Sequence, residues 1–215
     1  MKILTAASPN FAVNEIVPEF IVLHYTACNC ERALAIFASR ERKVCAHFVL
    51  DTNGDLYDLG QFWDGPILQG AHAGISHYQL GNRKFEKLNV NSIGIEIVNV
   101  NGNLLPYTNE QYDSLAEILL HLGLRFPVLA DPERIIGHEH IAGFRGKVDP
   151  GLEFDWNRVF KSVFGNGEFP PRLTVVTQEQ GRQLQERLKA TPPHLRTDQF
   201  WSDLSANLEQ EFAAK

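Results

Sequence analysis

Cysteine is scarce in this chain, with three among 215 residues. They do not form a pairing pattern. Cys28-Asn29-Cys30 lacks the two-residue spacer of a redox pair or zinc knuckle, and Cys45 stands apart. This argues against a disulfide framework and a cysteine metal site, and the three read as reduced thiols. Long hydrophobic runs are missing too. No stretch approaches the roughly 20 apolar residues that a membrane-spanning helix needs, and the opening Met1-Lys2-Ile3-Leu4-Thr5-Ala6-Ala7-Ser8 is too short in its apolar part for a secretory signal. Positive charge is in deficit, with 20 Lys and Arg against 26 Asp and Glu, a formal charge of −6. Without a basic footprint, nucleic acid is not an expected partner. Internal repeats and low-complexity tracts are absent. The expected location is the cytoplasm, although an exported protein without its signal would read the same.

What is present suits a single globular unit. At 215 residues and 44% hydrophobic content, the chain can bury a substantial core. Strand and helix patterns alternate. Residues 20–25 are aromatic and β-branched and read as a buried strand, and residues 31–39 carry Ala33, Ile36 and Phe37 at helical spacing. Residues 46–50 and 56–59 flank Asn53-Gly54, a hairpin signal because both residues tolerate positive φ. Residues 92–98 form another strand, with the isoleucines on one face and Glu96 on the other. Residues 108–126 make the clearest helix, with Thr108 and Gln111 as a capping box and Tyr112, Leu115, Leu119 and Leu122 as one stripe. A short strand is expected at 134–136 and a helix at 155–164. Gly165-Asn166-Gly167 and Pro170-Pro171 then punctuate the chain. Beyond them, helices are expected at 177–189 and, shorter, at 200–212. The expected organisation is a main domain over 1–164 and a helical extension over 165–215 packed on it.

Among the eight histidines, His77, His121 and His194 read as surface or helix-face residues and His47 as a structural one. His72 lies between small residues, which let a ligand approach closely. His24 and His138 each end an apolar strand. Either alone reads as a satisfied buried histidine; together with Asp149 they read as a metal site, because imidazole and carboxylate are zinc's usual donors. Glu96, alone on a strand of isoleucines, must face a polar cavity, a partner or a metal. The third ligand has two candidates. His138-Glu139-His140 in an extended segment would point both imidazoles the same way, whereas Asp149, before Pro150-Gly151, could return its carboxylate to the strand ends.

Five stretches occur in order: Leu23-His24-Tyr25-Thr26, Ala46-His47-Phe48, His72-Ala73-Gly74-Ile75-Ser76, Asn91-Ser92-Ile93-Gly94-Ile95-Glu96, and Gly137-His138 followed by Lys147-Val148-Asp149-Pro150-Gly151. Over residues 16–164 the chain thereby resembles the N-acetylmuramoyl-L-alanine amidases of the AmpD/AmiD type, within a wider group that includes phage amidases and peptidoglycan recognition proteins. The resemblance implies an α/β domain with a central mixed sheet flanked by helices. It implies one zinc ion per chain held by His24, His138 and Asp149, with Glu96 as catalytic base and Lys147 as oxyanion stabiliser. It assigns substrate contacts to His72, Ala73 and Gly74, and peptidoglycan fragments or muropeptides as substrate. Two departures stand out. The usual segment before the final ligand is one residue shorter and carries Pro-Gly-Arg-Lys, whereas this chain has Gly143-Phe144-Arg145-Gly146-Lys147. The usual Trp before His-Ala-Gly is Ala71 here, so the contact that indole supplies is either absent or taken over by Trp63. The alternative to an amidase is a non-catalytic muropeptide-binding module on the same fold. Such a relative should lack a metal ligand or the base, and here all five residues are present.

Overall fold

A computed structural model describes the chain except at residues 170, 173, 214 and 215. The strands are β1 (Ile3–Thr5), β2 (Phe20–Tyr25), β3 (Phe48–Leu50), β4 (Leu56–Asp58), β5 (His77–Leu80), β6 (Arg83–Glu86), β7 (Ser92–Ile97) and β8 (Ile135–Gly137). The α-helices are α1 (Cys30–Ala38), α2 (Asn109–Arg125), α3 (His138–Ala142), α4 (Trp156–Phe164), α5 (Gln178–Ala190) and α6 (Asp198–Ala213). Six strands form one mixed sheet in the order β1-β4-β3-β7-β2-β8, parallel at every pairing except the β3–β4 hairpin. No helix among the described residues is long and apolar enough to cross a membrane.

The two faces of the sheet have different tasks. Ile21, Leu23 and Tyr25 of β2 pair with Ile93, Ile95 and Ile97 of β7 and point into the main core. There they meet Leu115, Ile118, Leu119 and Leu122 of α2, and Val159 and Phe160 of α4. Helix α2 starts at the expected capping box: Thr108 Oγ1 accepts from Gln111 N at 3.1 Å, and Gln111 Oε1 from Thr108 N at 3.0 Å. On the opposite face Phe20, Val22 and Ile136 form a smaller cluster with Ala73 and Phe85. That face also carries His24 and Glu96, the last polar positions of β2 and β7, which are paired in register. Because β2, β7 and β8 are mutually parallel through β2, their carboxyl ends lie together, the usual place for a ligand in such sheets.

Beyond the short β1, which was not expected, three elements depart from the sequence reading. The β5–β6 ribbon was not expected, because His77-Tyr78-Gln79-Leu80 and Arg83-Lys84-Phe85-Glu86 are polar and only Phe85 is buried. It is anchored by aromatic edges, with Phe20 lying 4.7 Å from Phe85 and 5.6 Å from Tyr78 between ring centroids. Helix α6 is longer than the short helix expected. The third departure is α3: the His138-Glu139-His140 segment is helical, not extended. Gly137 N–H donates to His140 Nδ1 at 2.8 Å, so His140 caps the helix in the manner of an N3 side chain. On a helix, residues two apart point to opposite sides, which removes the premise for a shared His138–His140 site.

The segment after α4 joins the same core through Val176, Leu184, Leu204 and Leu208. One clasp is polar: Glu139 Oε2 accepts from Val175 N at 2.8 Å. Burial pushes the Glu139 carboxyl up to about 8, against the pull of that N–H. A folded-state pKa above the ordinary 4.5 means that stability is full below pH 4.5 and is lost as pH rises towards 8. Glu139→Gln resembles the protonated form at every pH. The variant is therefore expected to match the wild type near pH 4 and to exceed it near pH 8. Urea unfolding of both proteins across that range checks this; parallel stability curves would contradict it.

Candidate active site

His24 ends β2, His138 opens α3 directly after β8, and Asp149 lies on the return loop. That loop is held by backbone and side-chain bonds: Glu139 N donates to Asp149 O at 2.9 Å, Asn103 Nδ2 to Val148 O at 3.3 Å, and Tyr107 Oη to Pro150 O at 2.7 Å. The result is a tight triangle. His24 Nδ1 lies 2.9 Å from Asp149 Oδ2 and 3.1 Å from His138 Nδ1, and His138 Nδ1 lies 3.1 Å from Asp149 Oδ2. All three residues are buried.

The surrounding hydrogen bonds set which ring nitrogens carry protons. His72 Nε2 lies 3.4 Å from the Ser92 carbonyl oxygen and donates to it, which leaves His72 Nδ1 as an acceptor. His24 Nε2 donates to that atom at 3.1 Å, which leaves His24 Nδ1 bare. His138 Nε2 donates to the Ala73 carbonyl at 3.3 Å, which leaves His138 Nδ1 bare as well. Two imidazole lone pairs and a carboxylate oxygen thus converge with no proton to share. Such a triangle is repulsive by itself and is the donor set of a cation. Its edges are close to the roughly 3.3 Å between donors of a tetrahedral ion with ~2.0 Å bonds. Charge state agrees. Burial and then His138 bring His24 down to about 4, so it is neutral at pH 7. Among the described residues this is the one group of three donors close enough to hold a metal.

Glu96 and Lys147 line the same cleft, together with Tyr25 and His72. Glu96 Oε2 is buried and meets no hydrogen-bond donor among the described residues. Burial, and then the nearby Asp149 charge, raise its carboxyl well above the ordinary 4.5. An orphaned, basic carboxylate aimed into a cleft is a candidate proton acceptor. Gly94, two residues earlier on the same face, has a particular use. A Cβ there would lie 2.5 Å from the His72 ring, so the missing side chain is the slot in which His72 lies.

His72 therefore orients His24 as well as bordering the cleft. Ala73 is fully buried, and its carbonyl takes up His138 Nε2–H. Gly74 is exposed under Arg145, outside the cleft lining. Within the chain, Ala73 supports a ligand and Gly74 a turn. Asn89 holds that turn, its Oδ1 accepting from His72 N at 3.1 Å and Ala73 N at 2.7 Å. Trp63 stacks on His121 at 3.8 Å and packs against the core. His47 is structural, accepting from Gly94 N at 2.9 Å and donating to Leu68 O at 2.8 Å. Burial raises the thiols of Cys28, to about 11, and Cys30, to about 12, which leaves them unreactive at neutral pH. Among the cleft residues that were not anticipated are Ser205 and Glu209 of α6. They lie in a polar amphipathic helix about 60 residues beyond the motifs, and only the unusual Gly146 hinted at a close neighbour.

Comparison with known proteins places this geometry. The family profile described as N-acetylmuramoyl-L-alanine amidase matches residues 14–152. The 1,6-anhydro-N-acetylmuramyl-L-alanine amidase AmpD of Haemophilus influenzae is 37% identical over 123 residues, which is 57% of this chain and 60% of that protein. The Enterobacter cloacae protein of the same name is 45% identical over 102 residues, 44% of this chain and 50% of the relative. The chain thus spans between half and three fifths of the length of these relatives. A crystal structure of a selenomethionine AmpD derivative superposes with a TM-score of 0.57 at 27% identity, covering 75% of this chain and 94% of the other. The Escherichia coli AmiD amidase, solved with anhydro-N-acetylmuramic acid-L-Ala-D-gamma-Glu-L-Lys, gives 0.56 at 26% identity, covering 75% and 60%.

Proposed function

The chain belongs to the N-acetylmuramoyl-L-alanine amidase family, and from that premise we propose that it is a zinc-dependent hydrolase of the amide between the lactyl group of N-acetylmuramic acid and L-alanine. The observation that carries the reading is the convergence of His24 Nδ1, His138 Nδ1 and Asp149 Oδ2 beside the unpartnered Glu96 carboxylate. These three residues would hold one zinc ion. When bound, zinc supplies Lewis acidity, lowering the pKa of a water towards neutrality and polarising a carbonyl.

The remaining work falls to the protein's side chains. His72 keeps His24 in the tautomer that presents Nδ1, and the Ala73 carbonyl does the same for His138. Glu96 takes a proton from the attacking water and returns it to the leaving amine of L-alanine; its raised pKa suits both halves of that transfer. Lys147 offers its ammonium group to the negative charge that develops on the scissile carbonyl oxygen. The partial burial of Glu96 and Lys147 lowers the local dielectric and strengthens both effects.

The named substrates of the relatives suggest the probe. On anhydromuramyl-L-Ala-D-γ-Glu-L-Lys the protein is expected to release the free tripeptide and the intact sugar, and a chelator is expected to stop the reaction. On sacculi it should free stem peptides and leave glycan strands uncut, because no carboxylate pair suited to glycoside cleavage stands out near the motifs. Mass spectrometry of the products checks both. Shortened glycans that retain their peptides would contradict the assignment, and substrate binding without cleavage by zinc-loaded protein would favour a recognition module. A cytoplasmic site of action accords with a soluble fragment as substrate.

A further inference from the structure

The C-terminal helix reaches the cleft. α6 lies beyond residues 14–152 matched by the family, yet its Ser205 and Glu209 line the cleft that holds His24 and Glu96. Four residues apart on a helix, the two share one face. Leu204 and Leu208, on the adjoining face, are buried in the main core, and Phe200, Trp201 and Phe212 pack against it. This sets the rotation of the helix. Glu209 Oε1 accepts from Lys147 Nζ at 2.7 Å, with the two side chains 37% and 24% exposed.

A backbone contact fits the same docking. Gly146, next to Lys147, has φ of +85°, and a Cβ there would overlap the Glu209 carbonyl oxygen and come within 3.0 Å of Ala213 N. Only glycine lets α6 approach this closely.

We propose that Glu209 is a positioning residue for Lys147, supplied to the active site by α6; this rests on the amidase reading above. An ammonium on a flexible four-carbon stem samples many rotamers, and its three donors rotate freely. One bond to Glu209 selects a rotamer and leaves two donors for the carbonyl oxygen of the substrate. The carboxylate also offsets part of the lysine charge, so its contribution is orientation. Orientation is realised in turnover and not in substrate binding.

The test uses the full chain loaded with zinc and the anhydromuramyl tripeptide as substrate. Glu209→Ala is expected to lower kcat by about 10- to 100-fold, the scale of an ångström-sized misplacement. KM, zinc content and unfolding temperature should stay near wild type, because a partly exposed ion pair contributes little to stability. Glu209→Gln keeps an oxygen acceptor for Lys147 and should retain most of the wild-type kcat. An unchanged or raised kcat in Glu209→Ala, a loss confined to KM, or an equal loss in both variants accompanied by lost zinc or lower unfolding temperature would overturn the proposal. A wild type that cleaves nothing would overturn the amidase reading and this proposal with it. An active wild type with an undiminished Glu209→Ala overturns this proposal alone.

Discussion

Glu96→Gln is expected to keep zinc and lose turnover by roughly 10²- to 10⁴-fold, the range that general-base catalysis supplies. The substitution is nearly isosteric, and an amide tolerates burial better than the carboxylate it replaces. Neither the fold nor the donor triangle should suffer, because Glu96 makes no hydrogen bond to His24, His138 or Asp149. The loss should therefore appear in kcat, with zinc stoichiometry and substrate affinity close to wild type. Steady-state kinetics alongside metal analysis decides it. A variant that turns over near the wild-type rate would show that another group takes the proton, and Glu96 would then be only a buried acid.

The second large effect concerns the metal. Asp149→Ala removes one corner of the donor triangle and is expected to weaken zinc binding far more than the 10- to 100-fold typical of an outer-shell change. His140→Ala should stay within or below that range. His140 points away from the triangle and accepts from Gly137 N at the start of α3. His72→Ala should fall between the two, because His72 touches the other nitrogen of His24 and controls its tautomer. Competition against a chromogenic chelator gives all three affinities on one scale. Zinc lost from His140→Ala and kept by Asp149→Ala would reverse the ligand assignment.

Much of this architecture is legible in the sequence because the signals are local. The isoleucine alternation in β7 and the capping box of α2 each act within a few residues, and each appears where the pattern puts it. The β5–β6 ribbon escaped because its strands are polar and gain their footing only from Phe20 across the chain. The helical turn at His138 escaped because its cap is a histidine side chain bonded to a glycine N–H, outside the usual Ser, Thr, Asp and Glu signals.

By itself, the sequence determined the class of the fold, the order of its main elements and the kinds of donor available: two imidazoles at strand ends, a carboxylate beyond them, and a lone glutamate among isoleucines. Only the tertiary structure decided how they meet. His24 lies 114 residues from His138 and 125 from Asp149, and the tautomers that bare their lone pairs depend on His72 and Ala73, drawn from a separate loop. Lys147 finds its partner 62 residues later on α6, where the helical stripe of Leu204 and Leu208 turns Glu209 towards the cleft. Residue spacing encodes periodicity over a few turns of chain. Distances near 3 Å between remote side chains arise only when the core closes and fixes the angle of every element at once.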